Sequence, residues 1–149
     1  MNTEPRSKAR SSARLAAVQA LYQRQMEGTA LPKLLDEFHQ HRLGKEIEGE
    51  QFADAEVDFF DDIVSGTIAR HEEIDETLTG KLAEGWSLRR LDRAMLQVLR
   101  AGTYELLARH DVPVKAVINE YVDVAHAFFE AREAKFVNGI LDAVAKQVR

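Results

Sequence analysis

The chain has 149 residues, enough for one domain or for two small subdomains that share a core. It contains no cysteine, which excludes disulfides, thiolate metal sites and cysteine nucleophiles, and no apolar run approaches the roughly 20 residues of a membrane span. With 20 basic and 25 acidic residues the net charge is −5, and we expect an ordinary soluble protein of the reducing cytoplasm.

The N-terminus departs from this acidic balance. The first fourteen residues carry four positive charges and one negative charge: Arg6, Lys8, Arg10 and Arg14 against Glu4. A basic segment on an acidic protein is typical of binding to a polyanion, and nucleic acid is the usual one. No apolar segment accompanies these charges, so they do not form a secretory signal.

The charge is also uneven further along. Residues 46–85 hold thirteen acidic and two basic side chains, and residues 86–115 hold six basic and three acidic ones. A solvated helix face is the favoured interpretation of the acidic stretch, and repulsion of RNA or attraction of a basic protein are the alternatives. Within it three carboxylates share a helix face, which favours a polar surface over a cation site: Asp58, Asp61 and Asp62.

The pattern is helical almost throughout, without the alternation and turn signals of strands. A first helix is predicted from near Ser7 or Ser12 to Glu27, with Gly28 as its stop, and a second helix begins at Pro32. Residues 43–52 are predicted to form a loop.

The third helix is predicted over 53–69 and a short fourth helix over 72–84. The third carries one apolar stripe at helical spacing: Val57, Phe60, Val64 and Ile68. Ser87 is the predicted N-cap of a long helix that ends at about Ala108.

A further helix is predicted from Pro113, and a last one from about Glu133. The predicted buried stripe of the last helix is Phe136, Val137, Ile140, Leu141, Val144 and Val148. Asn119 lies among apolar neighbours and is expected to be a buried amide that joins two helices. Gly139, after Asn138, is expected where a neighbouring helix approaches closely.

We therefore expect an all-α, compact bundle of about seven helices, arranged as two three-helix subdomains packed across each other. The subdomains are expected at about 9–85 and 86–149 and meet near Trp86, after a flexible basic arm over residues 1–8. There is no phosphate-cradling glycine loop, no HExxH and no recognisable triad, so we predict neither an enzyme nor a cofactor.

Four ordered segments resemble the NusB family of bacterial transcription antitermination factors. They are AVQALY (17–22), LRAGTYEL (99–106), DVPVKAVINE (111–120) and KFVNGILD (135–142). The resemblance covers the chain from about residue 8 onwards, and the order and spacing of the segments make it specific.

The resemblance implies an all-helical protein of two three-helix bundles that binds the boxA element of ribosomal RNA transcripts as single-stranded RNA. It implies a heterodimer with NusE, a small-subunit ribosomal protein, which joins NusA and NusG on RNA polymerase and suppresses premature termination. Catalysis and cofactors play no part in that function. The alternative is a homodimeric protein-interaction module without a role in RNA binding.

The resemblance also implies RNA-binding residues at both ends of the chain. Arg10 and Arg14 match arginines of the family's N-terminal motif, with a solvated helix end as the alternative, and Arg6 and Lys8 are weaker candidates. Near the C-terminus the candidates are Arg132, Lys135 and Phe136.

For Phe136 the residue pattern alone favours core packing, whereas the family suggests a ring exposed to RNA. Arg132 stands where relatives often have an acidic or small residue, which either adds attraction for RNA or is only a surface change. Four more residues match the family pattern and are candidates for the NusE surface: Tyr22, Arg100, Tyr104 and Glu105.

Overall fold

The computed structural model describes residues 4–40 and 54–149, and this part of the chain contains helices and no strand. In chain order the α-helices are α1 (Glu4–Glu27), α2 (Leu31–Phe38), α3 (Asp54–Ala69), α4 (His71–Thr79), α5 (Arg93–Ala108), α6 (Val114–Phe128) and α7 (Ala131–Val148). The predicted all-α class with about seven helices is confirmed. The loop predicted over 43–52 lies outside the described residues. No helix in the described ranges is long and apolar enough to cross a membrane.

The chain divides into two units after Ser65, about twenty residues earlier than the boundary expected near Trp86. The reason is that α4 packs against α5, and the Arg100 guanidinium donates two hydrogen bonds of 2.8 Å to the Asp75 carboxylate on α4. These contacts place α4 in the second unit.

The first unit contains α1, α2 and most of α3. Helix α1 begins at Glu4, so residues 4–8 continue the helix instead of forming the expected arm. Gly28 ends α1 with a φ of 71°, a left-handed conformation that favours glycine, and this predicted stop is confirmed. Pro32 lies in the first turn of α2 as predicted. The Phe38 ring of α2 stacks on Phe60 of α3 with centroids 5.5 Å apart.

The second unit is organised around α5, which packs against α4, α6 and α7. Eleven of its sixteen residues are buried, so α5 has almost no solvated face. Gly102 allows the other helices to approach, because a Cβ there would lie 2.8 Å from Cδ1 of Leu141 on α7. The fully buried Glu105 accepts a hydrogen bond of 2.8 Å from the Tyr121 hydroxyl on α6, which offsets part of the cost of burying a carboxyl group.

The N-terminus of α5 differs from the prediction. Ser87 makes no side-chain capping bond and instead precedes a 3₁₀ helix, Leu88–Arg90. The N-cap is Asp92, whose carboxylate accepts hydrogen bonds from the backbone N–H groups of Ala94 and Met95 at 2.8 and 3.1 Å. A negatively charged acceptor also interacts favourably with the helix dipole at this end.

The turn between α5 and α6 is held by a contact that the sequence pattern did not indicate. The Arg149 guanidinium donates hydrogen bonds to four backbone carbonyl oxygens, those of Glu105, Leu106, Arg109 and Val112. The guanidinium ties the last turn of α5 to the connection that follows it, and the carbonyl oxygens of Glu105 and Arg109 each accept a backbone N–H as well.

Two predictions are wrong, namely that Asn119 is buried and that a neighbouring helix closely approaches Gly139. Asn119, Asn138 and Gly139 are all exposed, and a Cβ on Gly139 would meet nothing within 4 Å. Helix α7 packs through Val137 and Leu141, so the intervening positions 138 and 139 point away from the core.

Gly102 of α5 and Gly139 of α7 give opposite predictions for substitution by alanine. We expect Gly139→Ala to raise the free energy of unfolding by about 0.5–1 kcal/mol, because alanine has the higher helix propensity and the space is open. Gly102→Ala should lower it by about 1–3 kcal/mol, because the added methyl group overlaps the buried Leu141. Urea denaturation followed by circular dichroism measures both values, and equal shifts of the same sign would contradict the packing described for α5.

Candidate nucleic-acid interface

In the first unit two arginines of α1 share one aromatic ring of α3. The guanidinium carbons of Arg10 and Arg14 lie 4.4 and 4.8 Å from the centroid of the Phe59 ring. Their spacing of four residues puts both side chains on one helix face, so a single ring contacts both. We call these three residues the Phe59 cluster. Each contact is a cation–π interaction that helps to hold α1 against α3.

The cluster changes the expected role of Arg14. Its residue surface is only 4% exposed, so neither a solvated helix end nor a direct phosphate contact fits its position. Arg10 is partly exposed, and Lys8 and Ser12 on the same helix are exposed. The side chain of Arg6 lies outside the described part of the molecule. Lys8 and Arg10 are therefore the described cations of α1 that remain accessible among the predicted RNA-binding residues.

In the second unit the C-terminal candidates lie together at the start of α7. The Arg132 side chain is 92% exposed, Lys135 is exposed, and Phe136 is 37% exposed. Residues three and four apart on a helix are neighbours, so these three side chains form one patch, which we call the α7 surface.

The exposed Phe136 contradicts the core packing that the residue pattern favoured. Four residues of the predicted stripe are buried, namely Val137, Ile140, Leu141 and Val144, whereas Phe136 is exposed. Because Val137 takes the core position, the adjacent Phe136 ring lies at the surface.

A cleft of about 540 Å³ adjoins the α7 surface at the junction of α6 and α7, and sequence reasoning did not find it. Its lining includes Phe128, Phe129 and Arg132, together with the carboxylates of Glu130 and Glu133. The two rings are tilted with centroids 6.1 Å apart, and Phe128 is exposed. The signal in the sequence is the adjacent pair Phe128 and Phe129, which lies where α6 ends.

Three of the four predicted partner residues are not on an open surface. Tyr104 and Glu105 are buried, and Arg100 is half-buried in its ion pair with Asp75. Because Tyr104 and Glu105 are buried and Arg100 is held by Asp75, we remove these three residues from the partner surface. Tyr22 is exposed, and it lies four residues before the exposed Met26 on α1.

The carboxylates of α3 contribute to local packing. Asp61 lies 2.6 Å from Nε2 of His39, and this imidazole meets the edge of the Phe60 ring. Within residues 4–40 and 54–149, no group of three His, Cys, Asp or Glu side chains is arranged to hold a metal ion.

Comparison with known proteins identifies the family. The model of the NusB family matches residues 11–146. The transcription antitermination protein NusB of Novosphingobium aromaticivorans is 69% identical over 147 residues, covering 99% of both chains. That of Sphingopyxis alaskensis is 62% identical over 144 residues, covering 97% of both chains. The chain belongs to the NusB family.

Solved structures of the family share the fold. NusB of T. maritima superposes with a TM-score of 0.78 at 32% identity, covering 93% of this chain and 91% of that one. A chain from the crystal structure of antitermination factors NusB and NusE in complex with dsRNA superposes with a TM-score of 0.79 at 25% identity, covering 94% and 98%.

The burial of Arg14 predicts a structural effect on substitution. Arg14→Ala should lower the free energy of unfolding by about 1–2 kcal/mol, because a buried cation–π contact with Phe59 is lost. Lys8→Ala, at an exposed position of the same helix, should change it by no more than about 0.5 kcal/mol. Thermal denaturation compares the two variants, and an Arg14→Ala protein as stable as Lys8→Ala would show that the cluster does not stabilise the unit.

Proposed function

We propose that this protein is a transcription antitermination factor that binds the boxA element of ribosomal RNA transcripts together with NusE. In this proposal it joins NusA and NusG on RNA polymerase and reduces premature termination. The observation that carries the proposal is the α7 surface, where the exposed Phe136 ring shares one helix face with the exposed Lys135 and with the exposed Arg132, which pairs with Glu133 at 3.7 Å, in a chain of the NusB family.

Two relatives support the general function. The proteins of Novosphingobium aromaticivorans and Sphingopyxis alaskensis are named transcription antitermination proteins, and each matches this chain over nearly its full length. The solved complex of NusB and NusE with dsRNA supports RNA and NusE as the partners.

The α7 surface has the chemistry for contact with an unpaired base. The exposed face of Phe136 offers a stacking platform, and Lys135 and Arg132 offer positive charge to the adjacent phosphates. Stacking requires a base outside a duplex, because A-form RNA hides its base faces and displays its sugars and minor groove. For this reason we propose single-stranded boxA RNA as the ligand, although the related complex holds dsRNA.

The accessible cations of α1 add a second contribution. Lys8 is exposed and Arg10 is partly exposed, and both lie in a segment of net positive charge on an acidic protein. Such charge attracts the RNA backbone regardless of sequence and makes binding dependent on salt. In the proposed mechanism the cations capture the transcript, base stacking fixes its position, and NusE brings the complex to the polymerase.

A substitution series at Phe136 tests the stacking. Phe136→Leu keeps an apolar side chain without a ring and should weaken binding of single-stranded boxA RNA roughly five- to 150-fold, the range expected for the loss of one stacked base. Phe136→Tyr keeps the ring and should bind like the wild type. Fluorescence anisotropy of labelled RNA measures the affinity, with duplex RNA of the same sequence as comparison. Equal affinities of the Leu and Tyr variants would contradict the stacking.

A second prediction concerns Lys135. Lys135→Gln should flatten the slope of log K against log salt by about 0.7, the value for one phosphate contact with a single strand. Lys146→Gln is a matched control, because Lys146 is an exposed cation on the same helix and pairs with Asp142. The proposed contact fails if both variants keep the wild-type slope.

For NusE we propose the exposed apolar face of α1 formed by Tyr22 and Met26. Tyr22→Ala should weaken NusE binding at least about tenfold in calorimetric titration, because exposed tyrosines are common anchors of interfaces. Phe128→Ala is the control, since Phe128 is an equally exposed ring in the other unit. A NusE affinity that falls with Phe128→Ala but not with Tyr22→Ala would place the interface elsewhere.

The alternative function, a homodimeric interaction module, gives different results. Light scattering would then show twice the mass of the chain, and the mass would not change on addition of NusE or RNA. The proposed function predicts a one-to-one complex with NusE instead.

A further inference from the structure

Trp86 has no role in the function proposed so far. It is the only tryptophan of the chain, and it lies in the turn between α4 and the 3₁₀ helix, 54% exposed. A large indole ring left in solvent costs hydrophobic free energy that burial would recover. The groups around the ring therefore indicate which partner could cover it.

The turn that carries Trp86 is held in place by several contacts. The backbone N–H of Trp86 donates to the carbonyl oxygen of Ala83 at 3.0 Å, and Gly85 adopts a φ of 88° that favours glycine. Arg90 donates from Nη1 to the carbonyl oxygen of Gly85 at 2.8 Å, and its guanidinium carbon lies 5.4 Å from the centroid of the indole ring. The ring is thus supported by a cation that is itself fixed to the backbone.

The segment that follows the ring is basic, whereas the exposed Glu84 precedes it by two residues. The segment from Trp86 to Arg93 holds three arginines and one aspartate, and the Asp92 carboxylate caps α5. Arg93 is occupied by hydrogen bonds to three backbone carbonyls of the same segment. The side chain of Arg89 is exposed and makes no hydrogen bond or ion pair with any described residue. An accessible cation therefore lies three residues from an accessible ring.

This combination fits an unpaired nucleotide better than a protein partner. A stable protein interface buries about 800 Å² on each side around an apolar centre, whereas Glu84, Gly85 and Ser87 beside the ring supply almost no apolar surface. A base needs only the flat face of one ring and a cation for its phosphate. We propose that Trp86 and Arg89 form a second contact for single-stranded RNA, in which a base stacks on the indole and Arg89 binds a neighbouring phosphate. This inference rests on the proposed RNA-binding function.

The single tryptophan makes the contact directly observable. The experiment titrates the full chain with single-stranded boxA RNA extended by unpaired uridines at both ends. Tryptophan emission and RNA anisotropy are recorded in the same sample. Stacking of a base on Trp86 should quench the emission in parallel with the rise in anisotropy, because no other indole contributes to the signal.

Two variants distinguish the contribution of base stacking to RNA affinity from that of the phosphate contact. Trp86→Ala should weaken binding of the extended RNA at least about fivefold, the lower limit for one stacked base, and Arg89→Gln should flatten the salt slope by about 0.7. Lys33→Gln is the control for the loss of an exposed cation, because Lys33 lies on α2 outside the proposed contacts, and it should keep the wild-type affinity and salt slope. Circular dichroism establishes that each variant is folded.

The outcomes distinguish this inference from the proposed function. If the wild type binds boxA RNA while its emission stays constant, and Trp86→Ala binds equally well, the Trp86 contact is overturned and the proposed function stands. If the wild type binds no RNA with or without NusE, both are overturned.

Discussion

The burial of α5 on nearly all sides is the constraint on which the second unit depends. A helix with no solvated face needs small residues where its neighbours approach, and Gly102 meets this need beside Leu141. Of the buried polar side chains on α5, Glu105 accepts a hydrogen bond from the Tyr121 hydroxyl, whereas Oγ1 of Thr103 has no hydrogen-bond partner among the described residues. Because α5 packs against both helices, α6 and α7 are fixed relative to it, and the side chains at their junction are presented on rigid elements.

The packing of α7 against α5 determines which side chains of α7 are exposed for the proposed binding of RNA. Phe136 is exposed because Val137 and Leu141 occupy the core positions of α7, and the same packing turns Lys135 outwards. In the first unit the Phe59 ring holds Arg10 and Arg14 on one face of α1. Arg14 is buried against this ring and is not accessible to RNA, whereas Arg10 remains partly accessible. The arginines of the basic segment thus have unequal roles.

Helices and their limits could be predicted from apolar spacing, prolines and glycines, because these signals act locally, as at Gly28 and Pro32. The same signals could not predict which residue of an apolar stripe faces the core, because that depends on the neighbouring helix. Phe136 and Val137 are adjacent in the chain, yet Phe136 is exposed and Val137 is buried. The same limit explains Tyr104 and Glu105, where a match to the family pattern could not separate core from surface. The cleft beside Phe128 and the exposed indole ring of Trp86 lie at turns between helices. The geometry of a turn could not be predicted from the periodic spacing of apolar residues.

The central claim is that a single-stranded transcript lies against the exposed cations and rings of this helical protein. Ultraviolet cross-linking of boxA RNA that carries photoreactive uridines, followed by mass spectrometry of the linked peptides, tests it most directly. We expect cross-links to the start of α7 around Phe136 and to α1 around Lys8, both strengthened by NusE. Cross-links confined to the acidic helix α4, or none above those of an unrelated acidic protein, would contradict it.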